Sequence, residues 1–300
     1  MTVRRKVVIA RKRNPARKRL PAVKFQEFKD SLFHLNNSIG EFFLLPDRKK
    51  MFWAINPNNW NSHLKHIKTE GRRGHKGSRK DESMQVVVNK PRGKLKRTLL
   101  FKPAQIPNYR FQELFGLVRF RREARIVTET PIGLCKIDNT WYTITLREQG
   151  ETLKLIGDKA NGSVLDAARL FGKAFNAGLL QNDAGVKHVL ASGKRLRLFD
   201  LEFATRARNK QEGLRDFRAF FVSAVEEGLI QDRKKALVVI TAFCEVTGLE
   251  KRSVTKLAKD ALLQRIKFEE EFKIKSNWLS NIFERKHPPL EEIARSLGTN

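Results

Sequence analysis

The chain has 300 residues, 40% of them hydrophobic, and a formal net charge of +29 from 61 Lys and Arg against 32 Asp and Glu. This length can bury a substantial core and suggests one or two domains. No uncharged apolar run approaches the roughly 18 residues of a membrane span. The charged N-terminal segment also lacks a signal-peptide core, so we expect a cytoplasmic protein without an integral membrane segment.

The excess of positive charge favours a polyanionic partner, either nucleic acid or an anionic membrane surface. Residues 1–24 carry many basic side chains and no acidic one, which predicts an arm that is disordered when unbound and acts as an electrostatic tether. Cys135 and Cys244 provide neither a disulfide framework nor the spacing of a zinc site. We expect both cysteines to be buried as small hydrophobic residues.

The first predicted elements lead to a lysine at the end of a strand. Apolar spacing from Phe25 to Leu45 predicts a helix, within an N-terminal helical extension assigned to residues 25–65. The basic, glycine-rich EGRRGHKGSRKDES that follows is either a solvated loop or a distant relative of a phosphate-covering glycine loop, and the lack of a G-x-G-x-x-G pattern favours the solvated loop. Two short apolar runs between Met84 and Lys102, separated by KPRGKLK, predict a β-hairpin whose second strand ends on Lys102.

A helix and a second hairpin complete the predicted small lobe, residues 66–148. Helical spacing from Tyr109 to Arg122 places Glu113 in the first turns. The runs PIGLCKI and WYTITLRE read as antiparallel strands, and Gly150 ends the second. Residues 149–300 are assigned to a mainly helical lobe.

The stretch 169–207 holds the main candidate site. Ser163 resembles a helix N-cap, and the helix that follows is expected to end at Gly178. Beyond it we predict a tight loop carrying Asp183 and His188, then two short strands joined at Ser192-Gly193. The second strand delivers Asp200 to its C-terminal end. Further helices are predicted near residues 214–225, 236–246 and 254–274.

The order of these elements matches an α+β, protein-kinase-like bilobal fold with ATP and Mg²⁺ as cofactors. In such a site a strand lysine holds the α- and β-phosphates, a helix glutamate positions it, and two aspartates orient the acceptor hydroxyl and bind magnesium. Each match alone also fits a surface charge or a turn residue. Order and spacing together favour Lys102 and Glu113 for the cofactor, Asp183 as the base and Asp200 for the metal.

The segments LLFKPAQIPNYRFQELF, GLLQNDAGVKHVL and RLRLFDLEFATRA resemble the lipopolysaccharide core heptose kinase family, which phosphorylates inner-core sugars of Gram-negative bacteria from the cytosolic side. The resemblance covers about residues 84–225. It implies that Asp183 is the catalytic base, that His188 contacts a second magnesium ion and that Asp200 is the metal ligand. It gives Lys102 and Glu113 the same cofactor roles. Gln181 stands where the family usually has histidine.

The segment between Asp200 and Asp216 bears on the acceptor. It is short and basic and lacks an A-P-E motif, which favours a small or glycolipid acceptor over a docked protein chain. Arg206, Arg208 and Lys210 are candidates to hold an anionic sugar, and solvated side chains explain them equally well. Asp216 is expected to brace the catalytic loop, as an acidic residue does at this place in kinase-like folds.

The preferred hypothesis is a kinase for a heptose or Kdo hydroxyl of the lipopolysaccharide inner core. The basic arm would hold it peripherally on the anionic inner leaflet of the inner membrane. Because a glycine-rich phosphate loop is missing, a kinase-like pseudoenzyme, or a kinase for another small molecule or a protein, stays open. A basic nucleic-acid-binding protein is the third reading, with VTKLAKDALLQRI as part of a helix-turn-helix, but no recognisable module accompanies the charge.

Overall fold

A computed structural model of the chain describes residues 25–36, 40–48, 84–88, 97–103, 111–137, 140–146, 150–156, 161–192, 195–275 and 288–298. The predicted basic arm and the segment EGRRGHKGSRKDES lie outside these residues. So do the predicted domain boundaries near residues 24, 65 and 148.

The N-terminal part builds one antiparallel sheet with helices against it. Its elements are α1 (Phe25–Asp30), β1 (Phe33–Asn36), β2 (Glu41–Leu44), a 3-10 turn (Pro46–Arg48), β3 (Met84–Val88), β4 (Arg97–Pro103), α2 (Gln112–Arg122), β5 (Thr130–Ile137) and β6 (Thr140–Leu146). The six strands lie in the order β1-β2-β5-β6-β4-β3. Both predicted hairpins, β3–β4 and β5–β6, are confirmed by their antiparallel registers.

The continuous helix predicted from Phe25 to Leu45 is wrong. The helix stops at Asp30, and the chain then forms β1 and β2, which add to the sheet beside β5. Side chains of β2 alternate between half-buried and buried, with Phe42 and Leu44 fully enclosed. That period of two fits a strand, and pairing with β5 outweighs the weaker helical spacing of the apolar residues.

The two faces of this sheet carry different residues. In the registers of β4, β5 and β6, Lys102 stands opposite Thr143, which in turn stands opposite Leu134. Leu134 packs with residues of α1 and α2, including Phe28 and Leu114, in one apolar cluster. Because directly paired residues of neighbouring strands project to the same side of a sheet, Lys102 is on the α2 face of the sheet.

The C-terminal part is mainly helical. Its elements are β7 (Glu151–Thr152), α3 (Leu153–Ile156), α4 (Asn161–Asn176), β8 (Leu179–Leu180), a 3-10 turn (Val186–His188), β9 (Val189–Ser192), β10 (Arg195–Leu198), β11 (Thr205–Arg206), α5 (Lys210–Gly213), α6 (Arg215–Glu226), α7 (Arg233–Thr247), α8 (Lys251–Lys275) and α9 (Pro288–Ser296). The predicted hairpin across Ser192-Gly193 is confirmed by the pairing of β9 with β10.

Aromatic residues fill the core of the helical part. Phe171 of α4 packs on Phe220 of α6, and the ring of Phe217 stacks on Phe243 of α7 with centroids 3.9 Å apart. These contacts hold α4, α6 and α7 together beneath the β9–β10 hairpin. The three helices predicted after residue 207 are confirmed as α6, α7 and α8.

Two local predictions need correction. Helix α4 begins at Asn161, so Ser163 lies inside the helix and is not its N-cap. Cys135 is buried as expected, whereas Cys244 is only partly buried. Gly178 does follow the end of α4, with a φ of +65° that favours glycine.

A strand ending near Lys102, a helix carrying Glu113, two more strands and a mainly helical part with the β9–β10 hairpin form an α+β, protein-kinase-like bilobal fold. The predicted fold class is therefore confirmed. Across the described residues, no helix combines the length and apolar character needed to cross a bilayer.

Candidate active site

Asp216 fixes the start of the loop that carries Asp183. Its carboxylate, at the beginning of α6, accepts the backbone N–H groups of Gln181 and Asn182, the latter at 3.1 Å. Burial raises the pKa of Asp216 to about 6, against the opposing effect of these two donors. The structure thus places Asp216 beneath this loop, in the position where the sequence led us to expect a brace.

Gln181 joins the same loop to the segment that carries Asp200. Its side chain is fully buried, and Nε2 donates to the carbonyl oxygen of Phe199 at 3.0 Å and of Asp200 at 3.5 Å. An amide has the donor needed for this cross-link. The departure from histidine at this position therefore leaves the two loops connected.

Two residues of the site adopt the left-handed backbone conformation that side chains other than glycine rarely take. Asn182 has a φ of +68° and Asp200 a φ of +60°. The side chain of Asn182 donates to the carbonyl of Phe203 at 2.5 Å and to the hydroxyl of Thr205 at 2.8 Å. Asn and Asp tolerate this region better than most residues, and such strain is concentrated at functional loops.

His188 lies between the two candidate aspartates. Its Nε2 is 2.9 Å from Oδ2 of Asp183, and its Nδ1 is 3.3 Å from Oδ2 of Asp200. Neither nitrogen is aligned for a hydrogen bond, so these are close electrostatic contacts. The arrangement brings Asp183, His188 and Asp200 together at one end of the β9–β10 hairpin.

The charge of His188 follows from its burial. Desolvation lowers the pKa of the imidazole below its ordinary value, although Asp200 and Asp183 act in the opposite direction. The ring is therefore mainly neutral near pH 7 and has one N–H to offer.

Lys102 reaches the opposite side of the same site. Its Nζ is 3.4 Å from Oε1 of Glu113 on α2 and 2.7 Å from Oε2 of Glu129, just before β5. The Nζ also lies 5.9 Å from the ring centroid of Phe199, the residue before Asp200. Lys102 and Glu113 are brought together as the sequence predicted, and Glu129 is an additional partner.

The carboxylates keep Lys102 charged. Burial alone would lower the pKa of the amine, but Glu113, Glu129 and Asp200 together raise it well above its ordinary value. Burial raises the pKa of the Glu129 carboxyl group, and the positive charge of Lys102 opposes that rise. A fixed, charged lysine amine facing Asp200 is suited to hold phosphate oxygens.

Helix α2 contacts the segment that follows Asp200 directly. A Cβ built on Gly116 would lie 2.8 Å from the carbonyl oxygen of Leu201 and 2.9 Å from Cβ of Ala204. Gln112, one turn earlier, donates from Nε2 to the carbonyl of Ala204 at 3.2 Å. The absence of a side chain at Gly116 allows this approach, which couples the helix bearing Glu113 to the Asp200 loop.

The three basic candidates for substrate contact have separate surroundings. Arg206 lies in β11, and its Nη2 is 2.5 Å from Oε2 of Glu123 at the end of α2. Its guanidinium is therefore engaged by a carboxylate of this chain. Arg208 and Lys210 are exposed on the segment leading into α5.

The residues present fit magnesium at Asp200 better than at His188. Magnesium prefers oxygen and usually takes one or two protein carboxylates, with phosphate and water completing its shell. The side chains of Asp183 and Asp200 are 47% and 39% exposed, whereas that of His188 is 8% exposed with both nitrogens facing carboxylates. Among the described residues, no three His, Cys, Asp or Glu side chains form a ready-made metal site.

Two residues near the site were not found from the sequence. Glu129 stands in the linker segment RIVTETP, where no local pattern distinguishes it from a surface acid. Lys187 places its Nζ 3.5 Å from Oδ2 of Asp183. Its position four residues after Asp183 could have suggested this contact, because residues four apart in a tight turn lie close to one another.

No protein-family model and no curated protein sequence matches this chain. Among solved structures, the crystal structure of a double mutant of the Mycobacterium tuberculosis PknI kinase domain is similar over 60% of this chain and 90% of its own, with 15% identity and a TM-score of 0.35. Another crystal structure of the same kinase domain is similar over 48% of this chain and 66% of its own, with 18% identity and a TM-score of 0.32. Similarity this distant identifies neither a nucleotide nor an acceptor.

Proposed function

We propose that this protein is an ATP-dependent phosphotransferase that phosphorylates a sugar hydroxyl, of heptose or Kdo, in the lipopolysaccharide inner core. The observation that carries the proposal is the convergence of Lys102 with Asp183 and Asp200. Lys102 comes from the sheet, the two aspartates come from loops flanking β9–β10, and Asp216 braces the first of these loops.

Each residue has a definable task in this reaction. Mg-ATP would supply the phosphoryl group, and the metal would neutralise the charge that develops on it. The exposed Asp183 carboxylate would accept the proton of the attacking hydroxyl, and Lys187 would hold that carboxylate from one side. Asp200 would bind the metal, while Lys102 would fix the phosphates of the nucleotide.

The segment after Asp200 supports a small or glycolipid acceptor. Strand β11 pairs with β8, and α5 follows within four residues, so most of residues 205–214 are held by backbone pairing or helix formation. They leave little chain to form a docking platform for a protein substrate. The exposed Arg208 and Lys210 would provide positive charge beside an anionic sugar, and the net +29 is compatible with an anionic membrane surface, as it is with nucleic acid.

Mass spectrometry of lipopolysaccharide core sugars tests the acceptor. We expect a phosphate on a heptose or Kdo residue in cells that produce the wild-type chain, and its loss with Asp183→Asn at equal protein abundance. The exposed Asp166 provides the matched control, because it pairs with Arg169 on α4 and does not belong to the site. Core sugars that are identical with and without the protein would refute this acceptor.

Thermal unfolding with Mg-ATP separates an active kinase from a pseudoenzyme that has lost nucleotide binding. A ligand that binds only the folded state at 100 times its Kd stabilises it by about 2.7 kcal/mol. We expect a concentration-dependent rise in Tm for the wild type. No rise at millimolar Mg-ATP would favour the pseudoenzyme.

A further inference from the structure

Lys102 has two carboxylate partners, which lie at different distances from its amine. Glu129 forms the shorter contact, a 2.7 Å hydrogen bond, whereas Glu113 lies 3.4 Å away. Both glutamates are buried to the same degree, with 7% of each residue exposed. The distances therefore make Glu129 the stronger partner, because charge-assisted hydrogen bonds of this kind are strongest at about 2.7–2.9 Å.

The two glutamates stand on different backbone segments. Glu113 stands in the first turn of α2. Glu129 belongs to the linker before β5, and its backbone N–H donates to the carbonyl of Leu198 at 3.2 Å. The N–H of Leu198 returns a hydrogen bond to the carbonyl of Val127 at 3.0 Å.

This backbone exchange fixes Glu129 to the strand that leads to the metal aspartate. Thr128 and Leu198 form a parallel bridge, and Leu198 is the last residue of β10, two residues before Asp200. On the other side, Nη1 of Arg121, in the last turn of α2, donates to the carbonyl of Thr128 at 3.3 Å and of Glu129 at 3.4 Å. The linker that carries Glu129 is therefore held by both β10 and α2.

We propose that Glu129 is the principal positioning residue for Lys102, so that the place of the lysine amine is set by the linker segment bonded to β10 more than by Glu113 in the first turn of α2. The expected effect on nucleotide binding rests on the proposed function. The geometry of the Lys102–Glu129 contact does not. The Lys102–Glu113 pair then has a secondary role.

Two isosteric substitutions distinguish the partners. Glu129→Gln is expected to raise the KM for Mg-ATP by about tenfold or more, because a short hydrogen bond between two charged groups is lost. Glu113→Gln is expected to raise the KM by less than about threefold, because its contact with Lys102 is longer and weaker. Glu129→Asp keeps the charge and should recover part of the loss. Glu123→Gln is the matched control, because Glu123 lies at the end of α2, its side chain is 7% exposed, and it pairs with Arg119 and Arg206.

A second readout does not require activity. The acylation rate of the Lys102 amine by a small amine-directed reagent, measured by peptide mass spectrometry on the full chain, reports how strongly its charged form is held. Removing the dominant carboxylate should accelerate acylation about tenfold, the effect of lowering the amine pKa by about one unit. The acceleration should be larger in Glu129→Gln than in Glu113→Gln and absent in Glu123→Gln.

The outcomes separate this inference from the proposed function. Equal acceleration in both variants, or a larger one in Glu113→Gln, overturns the positioning role of Glu129 whatever the enzyme does. A wild type without ATP turnover but with the expected acylation order refutes the phosphotransferase and leaves the positioning of Lys102 supported.

Discussion

Asp216 is the residue whose ionisation links the candidate site to folding. Burial raises its pKa from the ordinary 3.8 to about 6 in the folded protein. Between these pH values the folded chain keeps a proton at Asp216 that the unfolded chain has released. The stability contributed by this shift is therefore fully present below pH 3.8 and lost as the pH rises through about 6.

Asp216→Asn tests this linkage, because the amide cannot titrate. We expect the free energy of unfolding of the wild type to fall relative to that of the variant as the pH rises from 3.8 to about 6, and then to run parallel. Urea unfolding across this pH range measures the difference. A difference that is constant throughout would show that the carboxyl group titrates normally.

Gln181 gives a second prediction at the residue scale. Its amide joins the Asp183 loop to the Asp200 segment through the carbonyl of Phe199, and Gln181→Ala leaves that partly buried carbonyl without this donor. Such a loss typically costs about 1–3 kcal/mol. We expect a lower Tm and a lower kcat. Gln181→His, which also carries a donor, should retain more of both than Gln181→Ala, and equal losses in the two variants would contradict the cross-linking role.

The sequence could point to some site residues and not to others for a physical reason. Lys102, Asp183 and Asp200 each stand at the end of a recognisable strand or in a turn, so their chain order alone suggested a common site. Glu129 has no such local signal, because its position depends on the backbone exchange with the distant Leu198. The orientation of His188 toward two carboxylates likewise depends on packing that spacing does not encode.

At the scale of elements, the contact of α2 with the Asp200 loop gives a prediction for Gly116→Ala. The added methyl group would meet the carbonyl oxygen of Leu201 and Cβ of Ala204 at less than 3 Å, so the helix or the loop must shift. Overpacking of this kind typically costs about 1–3 kcal/mol. We expect a lower Tm and a lower kcat, measured by thermal unfolding and by phosphate transfer.

Gly162→Ala is the matched control on another helix. No atom lies within 4 Å of a Cβ built at Gly162 in α4, and alanine favours helix more than glycine does. We expect unchanged or slightly higher stability and unchanged activity. Equal behaviour of the two variants would show that α2 does not need its close approach to the Asp200 loop.

Elements were predictable where one periodicity dominated. The β3–β4 and β5–β6 hairpins and helices α6 to α8 follow directly from their apolar patterns. In the region from Phe25 to Leu45, the apolar residues fit both the 3.6-residue period of a helix and the two-residue period of a strand. Strands form there because β2 pairs with β5. Pairing between distant segments is a tertiary effect, which is why the local pattern predicted a helix there.

For the whole molecule, the net charge of +29 predicts electrostatic attraction to anionic membranes. We expect the full chain to sediment with vesicles of anionic phospholipid and not with neutral ones, and this binding to weaken steeply with salt. Asp183→Asn should bind equally well, because Asp183 belongs to the candidate active site. Tighter binding to duplex DNA than to anionic vesicles at the same ionic strength would instead favour the nucleic-acid-binding alternative.

The most direct test is Mg²⁺-dependent phosphate transfer from ATP to isolated lipopolysaccharide core oligosaccharide by the purified full chain. We expect turnover by the wild type and by Asp166→Asn, and a loss of about 10²- to 10⁴-fold in kcat for Asp183→Asn, the usual contribution of a positioned base. Asp200→Asn should lose both turnover and stabilisation by Mg-ATP. Transfer that is unchanged in Asp183→Asn and Asp200→Asn would contradict the assignment of this site.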